Sequence, residues 1–336
     1  MQPKIAVNIG NLKLKNPVMV CSGTFGYAEE FKGLLEPREL GAIITKTLTI
    51  YPRRGNPPPR TCETPAGMLN SIGLENPGID AFLKEKLPLL KKIGVPIIAS
   101  IASEGGQEEF IRLAGRIDKI KEVAAIELNI SCPNIKVTTP LPRLRSGFPS
   151  VARRSLAFAQ GSLRSHVTSL ISQDAEATYN LVKAVRRVTA KTLITKLSPN
   201  VTDIVQIALA AEKAGSDAVS LINTLTGMAI DVQKRKPKIA AVTAGLSGPA
   251  VRPIAVRMVW EVYQKIKIPI IGMGGIIDVS SALEFFIAGA TAISIGTANF
   301  VNPRVSIEII RGIKEYLVKN KITSLDQLIG SLKCQS

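Results

Sequence analysis

Residues 192–200 read Thr192-Leu193-Ile194-Thr195-Lys196-Leu197-Ser198-Pro199-Asn200. A strand-length run of apolar and β-branched residues, with one lysine inside it, ends in a polar Ser-Pro-Asn turn. Such a run, bounded by turn formers, reads as a strand buried on both faces. The same reading applies at residues 17–21, 42–45, 96–101, 125–130, 218–222, 269–273 and 292–295, which makes eight runs in all. Helix-length amphipathic segments lie between them, at residues 78–93, 108–120, 175–189, 202–214, 248–266 and 280–288. Strands alternating with helices argue for a parallel sheet, and eight such units for a closed barrel. The expected fold class is therefore α/β, a TIM-type (β/α)8 barrel forming one domain over residues 1–336. Residues 5–7 and 12–14, joined through Gly10-Asn11, read as a β-hairpin that caps the bottom of the barrel before the first strand.

Hydrophobic residues make up 46% of the chain and aromatic residues only 4%, so the core is aliphatic. Buried parallel strands covered by helices have that composition. No apolar stretch reaches the roughly 18 residues of a membrane span. The opening Met1-Gln2-Pro3-Lys4-Ile5 carries no basic-then-apolar signal region. The four cysteines, Cys21, Cys62, Cys132 and Cys334, form no CxxC pair and no metal-ligand spacing. The expectation is a reduced, cytoplasmic protein with no metal site and no iron–sulfur motif of its own. The net charge of +17 is compatible with a nucleic-acid partner or with an anionic substrate. The basic residues are spread along the chain, which favours the second reading.

In a barrel of this kind the C-terminal ends of the strands converge on one face, where active sites sit. The runs end in Ser22-Gly23-Thr24, Lys46-Thr47, Ser100, Asn129-Ile130-Ser131-Cys132, Ser198-Pro199-Asn200, Asn223-Thr224, Gly274-Gly275 and Gly296-Thr297. A lysine within an apolar strand is costly unless it has a partner. Two of them at one end of the barrel, Lys46 and Lys196, predict an anionic ligand there. The glycines after the seventh and eighth runs occupy the usual place of a barrel's phosphate site, where bare backbone N–H groups approach phosphate oxygens. Tight turns would use the same glycines. Ile277 stands where a GxGxxG string needs its last glycine, so a Rossmann nucleotide site is not supported.

The string Asn129-Ile130-Ser131-Cys132-Pro133-Asn134, with Lys46-Thr47, Asn70-Ser71-Ile72-Gly73-Leu74 and residues 196–200, resembles dihydroorotate dehydrogenase of class 1. Residues 223–231 and 245–250 are also similar to that family, most of all to its NAD-linked B-type catalytic subunits. The resemblance runs from Val7 to Pro303 apart from one segment. It implies FMN-dependent oxidation of (S)-dihydroorotate to orotate, in de novo pyrimidine biosynthesis, with one FMN per chain. It also implies that Ser22, Lys46, Thr47, Ser100, Asn129 and Lys196 contact the flavin, with Ile222, Gly248, Gly274, Gly275, Gly296 and Thr297 completing that site. Family members often carry Asn where this chain has Ser100, though a hydroxyl can also donate. A lysine near the flavin N1–C2 edge would stabilise negative charge on the reduced ring.

Lys46, Asn70, Ser71, Ile72, Gly73, Leu74, Asn129, Asn134, Asn223 and Thr224 would by the same resemblance hold dihydroorotate. The residue types suit a planar ring with amide edges and a carboxylate. Asparagine offers a donor and an acceptor together, and lysine pairs with the carboxylate. Any one asparagine also reads as a turn or capping residue. Cys132 is the candidate catalytic base. Oxidation removes a hydride from ring C6 and a proton from C5, and a tuned thiolate can take the proton. The competing reading, a small buried hydrophobe, fits Cys21 better, and Cys62 and Cys334 lie in no motif.

After Ile135-Lys136 comes the departure from the family, a 36-residue segment (137–172) without clear helical or strand period. Most loops between a strand and a helix run about 2–6 residues. This one holds Arg143, Arg145, Arg153, Arg154 and Arg164, no acid, and the single histidine, His166. It is expected to be a basic, solvated and flexible insertion in the loop after the fourth strand, placed to modify the lid over the active-site face. His166 is expected at the surface.

The chain has no motif for a second flavin or for a path to NAD+. The resemblance therefore implies an electron-transfer subunit carrying FAD and a [2Fe-2S] cluster, with the catalytic chain as a homodimer inside a heterotetramer. Three alternatives stay open. One is a fumarate-linked class 1 enzyme. Another is a related flavin barrel acting on another pyrimidine or on tRNA uridine. The third is a nucleic-acid-binding barrel using its arginine-rich loop, which predicts salt-sensitive binding without flavin. Coupling to a membrane quinone is not expected, because no N-terminal amphipathic segment is evident.

Overall fold

The computed structural model describes residues 2–103, 105–130, 136–138 and 168–333, with 136–138 and 168–170 described by backbone alone. Cys132, Asn134, His166, Cys334 and the five arginines between 143 and 164 lie outside the described residues. The eight runs form strands β1 (Val18–Val20), β2 (Ala42–Ile44), β3 (Ile97–Ile101), β4 (Val123–Asn129), β5 (Thr192–Lys196), β6 (Ala218–Leu221), β7 (Ile270–Gly272) and β8 (Ala292–Ile295). They pair in chain order, all parallel, and β8 pairs with β1 to close the barrel. Every residue of β3, β5, β6 and β8 is buried, so these strands lack the polar alternation of a one-sided sheet.

The helices pack their apolar faces on the outside of this barrel. Those after β3 and β4 are Gln107–Asp118, which buries Phe110, Leu113, Ala114 and Ile117, and Ala175–Arg186. Those after β5, β6 and β7 are Ile204–Lys213, Arg252–Tyr263 and Val279–Ala288. Phe285 and Phe286 of the last are fully buried. Starts are set by aspartates: Asp174, Asp203 and Asp278 each accept a hydrogen bond from a first-turn backbone N–H. At Asp278 the bond from Ser281 is 2.7 Å, and the Ser281 hydroxyl reaches back to close a capping box. The hairpin pairs Val7–Ile9 with Leu12–Leu14, and a Cβ placed on its Gly10 would meet Asp217 and Thr192. Thr192 opens β5, so the hairpin closes the end of the barrel opposite the strand C-termini.

Several elements differ from expectation. The 78–93 helix is broken into Gly78–Ala81, a wide π-type turn at Phe82–Lys86, and Leu87–Ile93. Pro88 lacks the N–H that a continuous helix needs, and the wide turn absorbs the lost bond. The 248–266 helix begins as a tight turn at Pro249–Val251 and becomes α-helical from Arg252. The 137–172 segment, read as lacking strand period, closes on a short antiparallel ribbon in which residues 136–138 pair with 168–170. A turn at Ile171–Gln173 follows, with Ile171 and Ser172 buried. Three-residue strands that meet across about 30 residues of chain leave no local periodicity to read. No helix among the described residues is long and apolar enough to cross a membrane.

Backbone and side-chain hydrogen bonds from Ser281 hold the Asp278 carboxyl below its ordinary range. A depressed carboxylate stabilises the fold above its unfolded pKa, near 4, and loses that contribution as pH falls through the lower folded value. Asp278→Ala is expected to cost about 1 kcal/mol at neutral pH. Denaturant unfolding at pH 7 and again below pH 3 should show the gap from the wild type narrowing in acid. Asp278→Asn should retain most of the stability at pH 7.

Candidate active site

A cavity of about 780 Å³ opens over the C-terminal ends of the barrel strands, within the range of about 300–1,000 Å³ usual for small-molecule sites. Its floor comes from the barrel. Lys196, the last residue of β5, is only 6% exposed and donates to the Ser22 hydroxyl at 3.4 Å. Asn129, ending β4, donates to Thr47 Oγ1 at 3.2 Å and receives the Asn223 amide at 3.5 Å. Asn223 in turn accepts from the Thr224 N–H at 2.8 Å. Cys21 also lines the cavity, its thiol 3.9 Å from the sulfur of Met273. Burial pushes that thiol up, against the pull of Lys196. Cys21 is thus a neutral packing group, in keeping with its reading as a small hydrophobe.

The roof has no counterpart in the sequence reading. Strands Thr61–Thr64, Gly67–Asn70, Ala244–Ser247 and Leu225–Gly227 form a four-stranded antiparallel sheet over the mouth of the barrel. They contribute Thr61, Met68, Asn70 and residues 244–247 to the cavity wall. The sheet is packed so closely, against the end of β6 and within itself, that side chains would not fit at two points. A Cβ on Gly245 would come within 2.1 Å of Thr224 Oγ1. A Cβ on Gly248 would come within 2.6 Å of the Gly67 Cα, and Gly248 also holds φ +98°, which disfavours other residues.

The cavity brings together most of the residues singled out in the sequence. Ser22, Lys46, Thr47, Asn129, Lys196, Ile222, Gly248, Gly274, Gly275, Gly296 and Thr297 line it, and so do Asn70, Ser71, Ile72, Gly73, Leu74, Asn223 and Thr224. Ser100 does not: it is buried behind Thr47, hydroxyl to hydroxyl at 3.0 Å, and touches the cavity wall only through it. Cys132 and Asn134 lie outside the described residues.

Other contributors were not foreseen. Asn56 donates to Ser71 Oγ at 2.7 Å and fixes the edge of the 70–74 segment. Asn200, foreseen only as the end of a strand, donates to the Thr224 carbonyl at 3.1 Å and accepts from the Thr226 N–H at 2.8 Å, tying the end of β5 to that of β6. Asn76 is buried and accepts from the Thr49 and Gly78 N–H groups at 3.2 and 2.8 Å, while its amide donates to Thr49 Oγ1 and the Leu74 carbonyl. The Asn76-Pro77-Gly78 string was a legible turn signal. Its role as the anchor of the cavity wall was not. Glu127, an acid inside the apolar run of β4, carried the same signal as Lys196 and is 0% exposed.

The family model for dihydroorotate dehydrogenase matches residues 4–143 and 167–317. The chain belongs to the dihydroorotate dehydrogenase family. Its relatives include the protein named dihydroorotate dehydrogenase B (NAD(+)), catalytic subunit, of Trichlorobacter lovleyi, 49% identical with 99% of this chain and 100% of the relative covered. Proteins of the same name from Geotalea daltonii and Thermoanaerobacter pseudethanolicus are each 49% identical, with 99% and 98% of this chain and 99% of each relative covered. The two stretches matched by the family model leave out residues 144–166, inside the arginine-rich segment.

For this member of the family, Asn76→Ala should leave two buried backbone donors without their acceptor. Unsatisfied buried groups cost about 1–3 kcal/mol. A loss of stability in that range is expected in denaturant titration, together with faster proteolysis between residues 70 and 78.

Proposed function

We propose that this chain oxidises (S)-dihydroorotate to orotate with bound FMN, in pyrimidine biosynthesis, and passes the electrons to NAD+ through a partner subunit. The observation that carries the reading is the convergence on one cavity of two lysines, the polar ends of several barrel strands and a glycine-bare wall. The donor set suits FMN. Gly274, Gly275 and Gly296 offer backbone unobstructed by side chains for a phosphate, beside the hydroxyls of Thr297 and Ser247, which stand 2.8 Å apart. Lys196, Lys46, Thr47, Ser22 and Asn129 line the same cavity and would hold the ring system.

When bound, FMN supplies the acceptor for the hydride leaving dihydroorotate C6. The chain's own residues do the rest. Lys46 pairs with the substrate carboxylate, and Asn70, Asn129, Asn134 and Asn223 read the amide edges of the ring. The 70–74 segment and Thr224 close over it, excluding water. Cys132, three residues beyond the end of β4, takes the C5 proton as its thiolate. Ser100 serves the site by holding the Thr47 hydroxyl. The relatives are named as catalytic subunits of NAD(+)-linked enzymes, which supports an electron-transfer partner for this chain. We assign FAD and a [2Fe-2S] cluster to that partner, two copies of each subunit to the assembly, and the cytoplasm as its location.

Purified alone and mixed anaerobically with dihydroorotate, the protein should be yellow and its visible flavin absorbance should bleach. A colourless protein that takes up no FMN overturns the cofactor assignment. Flavin that stays oxidised overturns the substrate, unless deletion of residues 137–172 restores bleaching, which would assign the block to that segment. Cys132→Ser should keep the flavin and slow bleaching by about 10²–10⁴-fold, the usual contribution of a general base.

A further inference from the structure

Among the described residues the fold buries two charged side chains, Lys196 and Glu127. Glu127 lies in β4 two residues before Asn129, so both side chains face the barrel interior, with Glu127 one layer deeper. Its Oε2 accepts from the Ser220 hydroxyl of β6 at 3.1 Å, and its Oε1 is buried with no protein partner. It does not line the cavity. Lys196 donates to the Ser22 hydroxyl. The two groups nonetheless share one interior, since Lys196 pairs in register with Asn129 on the adjacent strand, which sets Glu127 one layer below it.

A carboxylate held in an aliphatic barrel with one bare oxygen is an expensive arrangement. Hydrogen bonding does not explain it, because a glutamine would satisfy Ser220 equally well. Charge does. In a low-dielectric interior the field of a buried carboxylate reaches well past contact distance. It offsets the ammonium group of Lys196, which sits at the cavity floor.

We propose that Glu127 is a positioning residue whose buried charge balances Lys196 and thereby holds down the reduction potential of the bound flavin. This rests on the FMN reading above. A reduced flavin carries more negative charge than an oxidised one, so Lys196 favours reduction. Glu127 opposes it, keeping the reduced state willing to give its electrons onward.

Glu127→Gln preserves shape and the bond to Ser220 and removes only the charge. The midpoint potential of bound FMN, measured by dye-coupled reduction, should shift to more positive values in E127Q and stay close to the wild type in Glu127→Asp. A merely structural role would leave the potential unmoved in both. FMN bound with equal potential in wild type and E127Q overturns this inference and leaves the FMN reading intact. A wild-type protein that takes up no FMN overturns both. If E127Q does not fold, the reduced-minus-oxidised infrared spectrum of wild type labelled with ¹³C-glutamate decides. A label-sensitive carboxylate band that moves on flavin reduction is expected, and its absence overturns the proposal.

Discussion

The burial of the Lys196 ammonium group in an aliphatic barrel is the constraint on which the site depends. An unpartnered cation there would be driven out of the fold. The barrel meets this with a hydroxyl from Ser22 and the open cavity above. Beneath the cavity, the dense packing of Ile, Val, Leu and Ala keeps water out and the dielectric low. The same dryness that makes the charges costly makes them effective on whatever binds above them.

The barrel supplies a floor, not a closed chamber. Closure comes from the antiparallel sheet laid across its mouth, whose strands are drawn from the loops after β2 and β6. That sheet approaches the end of β6 so closely that Gly245 cannot carry a side chain, and its own packing against Gly67 excludes one at Gly248. Asn76 and Asn200 hold the approach in place by satisfying backbone groups of the turn at Gly78 and of the edge strand Leu225–Gly227 and the residue before it. Chemistry is thus borne by strand ends and loops, while rigidity comes from strands beneath them and from capped helices outside.

The position of β4 links the floor of the cavity to its wall. It bears Glu127 and Asn129, and the chain leaves it toward Cys132 and the arginine-rich segment, which returns through a ribbon whose last turn sets Gln173 on the cavity wall. Gln173 donates to the Asn200 carbonyl at 2.8 Å.

What the sequence determined by itself was the repeating unit and the polar strand ends. Eight buried runs alternating with amphipathic helices admit few folds, and a lysine at 196 or an asparagine at 129 is conspicuous because its surroundings are apolar. Local patterns also located the hairpin at the bottom of the barrel. Only the tertiary structure decided that strands 61–64, 67–70, 225–227 and 244–247 pair into one roof, that Ser100 stands behind Thr47 instead of on the cavity, and that Glu127 lies beneath Lys196. The physical reason is the same in each case. Periodicity reports how a segment meets solvent or core, but pairing between short strands far apart in the chain, and the layer of a barrel on which a side chain falls, depend on register across strands, which no single segment encodes.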